Sequence, residues 1–159
     1  MRKICAIALL LGSFSMPVVA QTAPHGKEDP VVRSQRLLQG AWTLQWMKGG
    51  DVAKLYPAKK PLVSINVAYG KISGFNGCNN YFGTIKVEGD KLFFKGPLGS
   101  TKMACDQVDE QKFMSLINEV KTFKVADSNS LELSTAQGVA LRFTRLPKKS
   151  NQQNQPKNK

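Results

Sequence analysis

Cys78 lies in a glycine- and asparagine-rich stretch, "SGFNGCNNYFG" (Ser73 to Gly83), and Cys105 closes a second stretch, "LGSTKMAC" (Leu98 to Cys105). A cysteine in such a loop has three chemical uses: thiolate nucleophile, metal ligand, or half of a disulfide. A nucleophile needs a base or another group that lowers its pKa. The only histidine, His25, lies far upstream in a polar segment, so the usual general base is missing from that scheme. A zinc site needs four ligands, and two cysteines without histidine or a close-spaced cysteine pair leave it two short. The remaining acid–base candidates are Asp106, Asp109 and Glu110, which precede an apolar helical pattern. Carboxylates there are stabilised in their charged form by the helix N-terminus, so capping accounts for them more simply than catalysis. Neither a catalytic constellation nor a cofactor motif emerges, and no enzyme activity, metal or cofactor is expected.

These segments must be positioned by one small domain. The chain has 159 residues and 3 cysteines, and its first twenty read as a signal peptide. Arg2 and Lys3 form the basic start, Ile4 to Leu11 the apolar run, and "PVVA" (Pro17 to Ala20) places small residues before a cut at Gln21. The run is broken by Gly12, Ser13 and Ser15, too short for a membrane span, and Cys5 precedes the apolar core rather than following it. The expected product is a periplasmic or secreted protein that is neither transmembrane nor a lipoprotein. Residues 21–36 are expected to form a flexible arm, residues 37–146 the folded domain, and residues 147–159 a disordered basic tail.

The net charge is +12, which becomes +10 (12 − 2) once the signal is removed. Four of these charges, Lys148, Lys149, Lys157 and Lys159, lie in the tail and are candidates for contact with an anionic envelope surface. Export argues against a nucleic-acid partner.

Within the domain, period-two alternation dominates. In "AWTLQWM", Trp42, Leu44 and Trp46 are expected to share one face. Further strands are expected at 62–68, 71–75, 81–87, 91–95, 98–103, 123–126, 130–134 and 139–145, with turn residues between them. One segment has a helical period: Phe113, Leu116, Ile117 and Val120 fall at i, i+3, i+4 and i+7, predicting a helix over 107–121 capped by Asp106. The fold class is therefore α+β, mainly β: an antiparallel sheet curled into a partial barrel, with one amphipathic helix packed on it. In the cysteine loop, Gly74, Gly77 and Gly83 permit positive φ or close backbone approach, and Asn76-Gly77 is a hairpin signal. Asn79 and Asn80 are suited to bonding loop backbone, and Thr101 and Met103 alternate with Cys105 as if to close the end of the core.

Together, "SGFNGCNNYFG", "LGSTKMAC", the acidic stretch leading into the helix and the upstream "WTLQW" resemble the META domain family, the fold of heat-shock protein HslJ. The resemblance covers Leu38 to Arg145. It implies an incomplete antiparallel barrel with one helix, in exported proteins linked with stress response, motility or virulence, and it implies no reaction. With Cys5 removed in the signal, Cys78 and Cys105 remain as an even pair, one in each family motif. A disulfide is the simplest reading, and two reduced, buried thiols are the alternative. The function expected is noncatalytic binding of a protein partner or an amphiphile held in the partial barrel. The alternative is a secretion accessory resembling the pilotins, which capture a partner's tail or a lipid in an apolar cleft.

Overall fold

The computed structural model describes residues 28–106 and 108–147. The signal peptide, His25 and the tail lysines Lys148, Lys149, Lys157 and Lys159 lie outside them. The chain runs α1 (Pro30–Leu38), β1 (Gly40–Met47), α2 (Val52–Leu55), β2 (Leu62–Asn66), β3 (Lys71–Phe75), β4 (Asn80–Glu88), β5 (Lys91–Phe94), β6 (Gly99–Ser100), α3 (Glu110–Asn118), β7 (Thr122–Asp127), β8 (Ser130–Thr135) and β9 (Gly138–Arg145).

Neighbouring strands pair antiparallel in the order β3-β2-β1-β9-β8-β7-β5-β4, and β3 pairs with β4 to close the ring of eight. The short β6 adds a ninth strand beside β4. The curl thus goes further than a partial barrel, since hydrogen bonding runs all the way round. Its narrowest join lies between β5 and β7, where Lys91 faces Thr122. There Leu92 N–H donates to the Lys121 carbonyl at 2.9 Å and Phe123 N–H to the Asp90 carbonyl at 2.8 Å.

Alternation sends Val63, Ile65, Ile72, Tyr81, Ile85, Leu131, Leu133, Leu141 and Phe143 into one continuous core. Each fully buried side chain of this kind stabilises the fold by roughly 1.5–3 kcal/mol relative to exposure. Every strand of the ring contributes buried side chains to this interior. In β1 the alternation breaks: the register with β9 shifts between Leu44 and Trp46, so Met47 turns inward while Trp46 faces solvent. A bulge of this kind re-aims every residue beyond it. The displaced Trp46 ring is covered by the Arg142 guanidinium at 4.8 Å.

The main helix starts later and ends earlier than its period predicts, with Asp109 rather than Asp106 as N-cap; the Asp109 Oδ1 accepts from Lys112 N–H at 3.0 Å. Its apolar stripe drives Phe113 and Ile117 into the core, with Val120 just beyond the last turn. The Phe113 ring stands 5.8 Å from that of Tyr81 in a tilted pair.

Part of the expected flexible arm is helical. In α1, Pro30 occupies the first turn, where its missing N–H costs nothing, and Asp29 caps the helix by accepting from Val31 N–H at 2.7 Å. Tertiary contacts hold this helix: Leu38 is buried, its carbonyl accepts from Trp42 Nε1 at 3.0 Å, and Arg145 donates to the carbonyls of Leu37, Gln39 and Ser128. The Arg145 guanidinium also lies 3.9 Å from the Trp42 ring centre.

Candidate functional site

The β3–β4 connection is a four-residue loop, Asn76 to Asn79, between the paired residues Phe75 and Asn80. It is wider than the two-residue turn that Asn76-Gly77 signals, because the Asn76 side chain organises it. Asn76 Oδ1 accepts from the backbone N–H of Cys78 at 3.0 Å and of Asn79 at 2.6 Å. The Asn76 N–H donates to the Asn79 carbonyl at 2.9 Å, closing the loop. Gly77 has φ +106°, and a Cβ there would stand 2.4 Å from the Tyr56 ring. Gly74 serves close approach instead: a Cβ would lie 2.1 Å from the Leu62 carbonyl oxygen. At Gly83 a Cβ would meet Leu98 at 2.4 Å.

Against this loop runs the segment from Thr101 to Cys105. Strand pairing covers only Gly99 and Ser100 of the strand expected over 98–103; one more backbone bond follows, from Thr101 N–H to the Asn80 carbonyl at 3.0 Å, and beyond it a side chain replaces the ladder. Asn79, buried, bonds both polar groups of Met103: its Oδ1 accepts from Met103 N–H at 2.7 Å and its Nδ2 donates to the Met103 carbonyl at 3.0 Å. The same Oδ1 accepts from Thr101 Oγ1 at 2.8 Å. Asn80 is exposed and joins through its backbone, its N–H donating to Thr101 Oγ1 at 3.2 Å. Cys78 and Cys105 complete the clip as a disulfide, with Cα atoms 5.9 Å apart and a sequence separation of 27. Thr101, Met103 and Cys105 do not close the core: all three are exposed, and Met103 keeps 58% of its surface in water. An alternating pattern buries a face only where a sheet continues, and here the sheet has ended.

Glu110 ties the clip to α3. Its Oε2 accepts from Asn76 Nδ2 at 3.1 Å and from Asn79 Nδ2 at 2.8 Å. A carboxylate in the first turn also faces the positive end of the helix, so one oxygen serves loop and helix together. Read in sequence, Glu110 is an ordinary first-turn acid; two asparagines in a glycine-rich loop, needing partners of their own, are the signal that could have paired them. Tyr56, just after α2, adds a second tie, its hydroxyl donating to the Asp109 carbonyl at 2.8 Å. Burial, aided by the nearby Asp109 carboxylate, holds this phenol above the ordinary tyrosine range.

Beside the clip lies a groove of about 630 Å³ open to solvent, with Leu98, Met103, Ala104 and Met114 as its apolar walls and Lys102 and Gln111 among its polar lining. Asn76, Asn79 and Glu110 contribute to the lining, with their polar groups engaged with one another. Among the described residues, no three His, Cys, Asp or Glu side chains gather as a metal-binding group. What the arrangement offers is a rigid rim with adaptable methionine walls.

The META domain family profile matches residues 35–148. Among solved structures, an NMR structure of a protein from Burkholderia xenovorans is similar at 23% identity and TM-score 0.57, covering 89% of this chain and all of its own. A second NMR structure is similar at 24% identity and TM-score 0.56, covering 70% of this chain and 92% of its own. At these identities the likeness bears on the fold. No curated protein matches the chain. Among the described residues, no helix is long and apolar enough to cross a membrane.

Proposed function

Because the chain belongs to the META domain family, we propose that it is an exported, noncatalytic envelope protein that binds a protein partner in the groove beside the disulfide-clipped loop, in the stress- or virulence-related setting that the family resemblance implies. The observation that carries this reading is the pairing of a fixed rim with exposed methionine: Cys78–Cys105, Asn79 and Glu110 hold the segment from Thr101 to Cys105 in place, and Met103 still presents most of its surface to water. A rigid frame lowers the ordering cost of binding, while methionine adapts to an apolar partner surface. The buried side chains that every strand sends into the barrel interior favour a site on the outside over capture of an amphiphile within. Periplasmic or secreted localisation rests on the signal-like first twenty residues and is supported by a cysteine pair at disulfide distance.

The test combines fractionation with site-specific photocrosslinking in the native host. We expect mature protein starting near Gln21 in the periplasmic or extracellular fraction, and a discrete protein adduct from a photoreactive group at Met103 that an Ala104→Glu substitution removes. An uncut cytoplasmic protein, or equal adducts from Met103 and from a control position at Lys124 on β7, would overturn the reading.

A further inference from the structure

The outer wall formed by β3, β4 and β5 carries an unbalanced charge. Directly opposed residues of an antiparallel pair share a face, and the outward set here includes Lys71 opposite Thr84, Ser73 opposite Phe82, Lys86 opposite Phe93 and Glu88 opposite Lys91. Lys95 continues the β5 edge, its N–H donating to the Thr84 carbonyl at 2.9 Å. Lys59 joins from the loop before β2, with its ammonium 4.4 Å from the Phe75 ring centre. Five lysines thus stand against one acid on the wall, Glu88, which pairs with Lys86, and a second at its border, Asp90 in the β4–β5 turn. The opposite wall is close to balanced: Lys124 faces Glu132, which Arg142 binds at 2.9 Å.

Exposed aromatics are set among these lysines. Phe82 is 60% exposed, Phe93 42%, and Tyr69 projects from the β2–β3 turn at one end of the wall. Lysine and phenylalanine interleaved on a surface match an anionic lipid interface, where headgroups take the ammonium groups and the rings enter the acyl boundary. Single-stranded nucleic acid also pairs basic and aromatic groups, but it is held in a groove that tracks its backbone. A shallow hollow of about 400 Å³ beside Lys59, Ser73, Phe75 and Phe82 dents one end of this wall, but it stops short of Lys91, Phe93 and Lys95, where the exterior of the closed barrel is a shape that meets a plane. We propose that the β3–β4–β5 wall docks the protein on an anionic phospholipid bilayer, with Phe82 and Phe93 inserted and Lys71, Lys91 and Lys95 on the headgroups. The proposal does not depend on the methionine groove.

The experiment is sedimentation of the full mature chain with vesicles of phosphatidylglycerol and phosphatidylethanolamine, alongside pure phosphatidylcholine vesicles. We expect binding to the anionic vesicles only. Each lysine near an anionic surface contributes about fivefold, so the Lys71→Gln/Lys91→Gln/Lys95→Gln variant should lose roughly a hundredfold. Phe82→Ser/Phe93→Ser should lose at least about a hundredfold. All five positions are exposed, and thermal unfolding of each variant checks that the barrel is retained. A variant with Lys148, Lys149, Lys157 and Lys159 changed to Gln separates the wall from the tail: if that change abolishes binding and the wall variants do not, the proposal fails. It fails equally if millimolar inorganic phosphate at constant ionic strength releases the protein, or if oligo-dT binds as tightly as the vesicles with the same sensitivity to Phe82 and Phe93.

Discussion

Asn79 and the Cys78–Cys105 disulfide fasten the same segment, so their contributions should not add. A bridge of sequence separation 27 stabilises by about 3.5 kcal/mol in the chain-entropy model, through the unfolded state. Replacing Asn79 with Ala removes both bonds to the Met103 backbone, the Thr101 contact and one donor to Glu110. Part of that segment faces water and can be rehydrated, which sets the cost at about 2–3 kcal/mol. If each acted alone, Asn79→Ala combined with Cys78→Ala/Cys105→Ala would lose about 6 kcal/mol, much of the margin of a small domain. Without the bridge, however, residues 101–105 are tied mainly by Asn79 and partly detach. Asn79 then acts on a segment already loosened and is worth less. We expect the combined variant to fall short of the sum by about 1–2 kcal/mol, a coupling typical of residues sharing one partner. Urea denaturation followed by tryptophan fluorescence measures all four corners of the cycle, each with its own m-value, because removing the bridge lets the unfolded chain expose more surface. Additivity within about 0.5 kcal/mol would refute the shared-clip argument and leave the bridge acting on the unfolded chain alone.

Gly77→Ala forces a side chain onto a φ of +106° and into the Tyr56 ring, and should cost about 3 kcal/mol in denaturant unfolding; Gly89→Ala, at φ +60° with open space around it, should cost about 1 kcal/mol. Burial raises the folded-state pKa of both Tyr56 and Tyr81, so each contributes stability that is fully present below the ordinary tyrosine pKa of about 10 and is lost as pH climbs through the raised values. Absorbance at 295 nm should therefore show these two tyrosinates appearing together with loss of near-UV circular dichroism, and a full three-tyrosine signal with the dichroism intact would contradict the burial argument. Arg145→Ala unties the carbonyls of Leu37, Gln39 and Ser128 and should cost about 2–3 kcal/mol, with trypsin cutting at Arg36 well before the barrel opens.

The barrel was legible in the sequence wherever side chains obey a local rule. Val139, Leu141 and Phe143 alternate, turn residues punctuate the strands, and the stripe of Phe113, Ile117 and Val120 has a helical period. What escaped depends on partners distant in the chain. The α1 helix is polar and short, and it is held by Arg145, which lies 108 residues beyond Leu37. The β1 bulge arises from how β9 lies against it, so Trp46, in phase with Trp42 by spacing, ends on the other face. At the site, both cysteines and both buried asparagines stood out as residue types, while the reach of Asn79 to Met103 and of Glu110 to the loop follows from the folded path of the chain. Met103 misled because its alternation with Cys105 continues past the last paired residue, Ser100.

The narrow join between β5 and β7 gives the barrel a preferred line of rupture. Every other junction in the ring is a ladder of several residue pairs, whereas here the amides of Leu92 and Phe123 flank a single facing pair. Loosening those contacts would turn the cylinder into one uninterrupted ribbon of eight strands, with β5 and β7 at its two margins. Deuterium uptake should consequently begin at Leu92 and Phe123 and spread outward from them, and a circular permutant with new ends beside this line should keep more of its stability than one cut between β8 and β9.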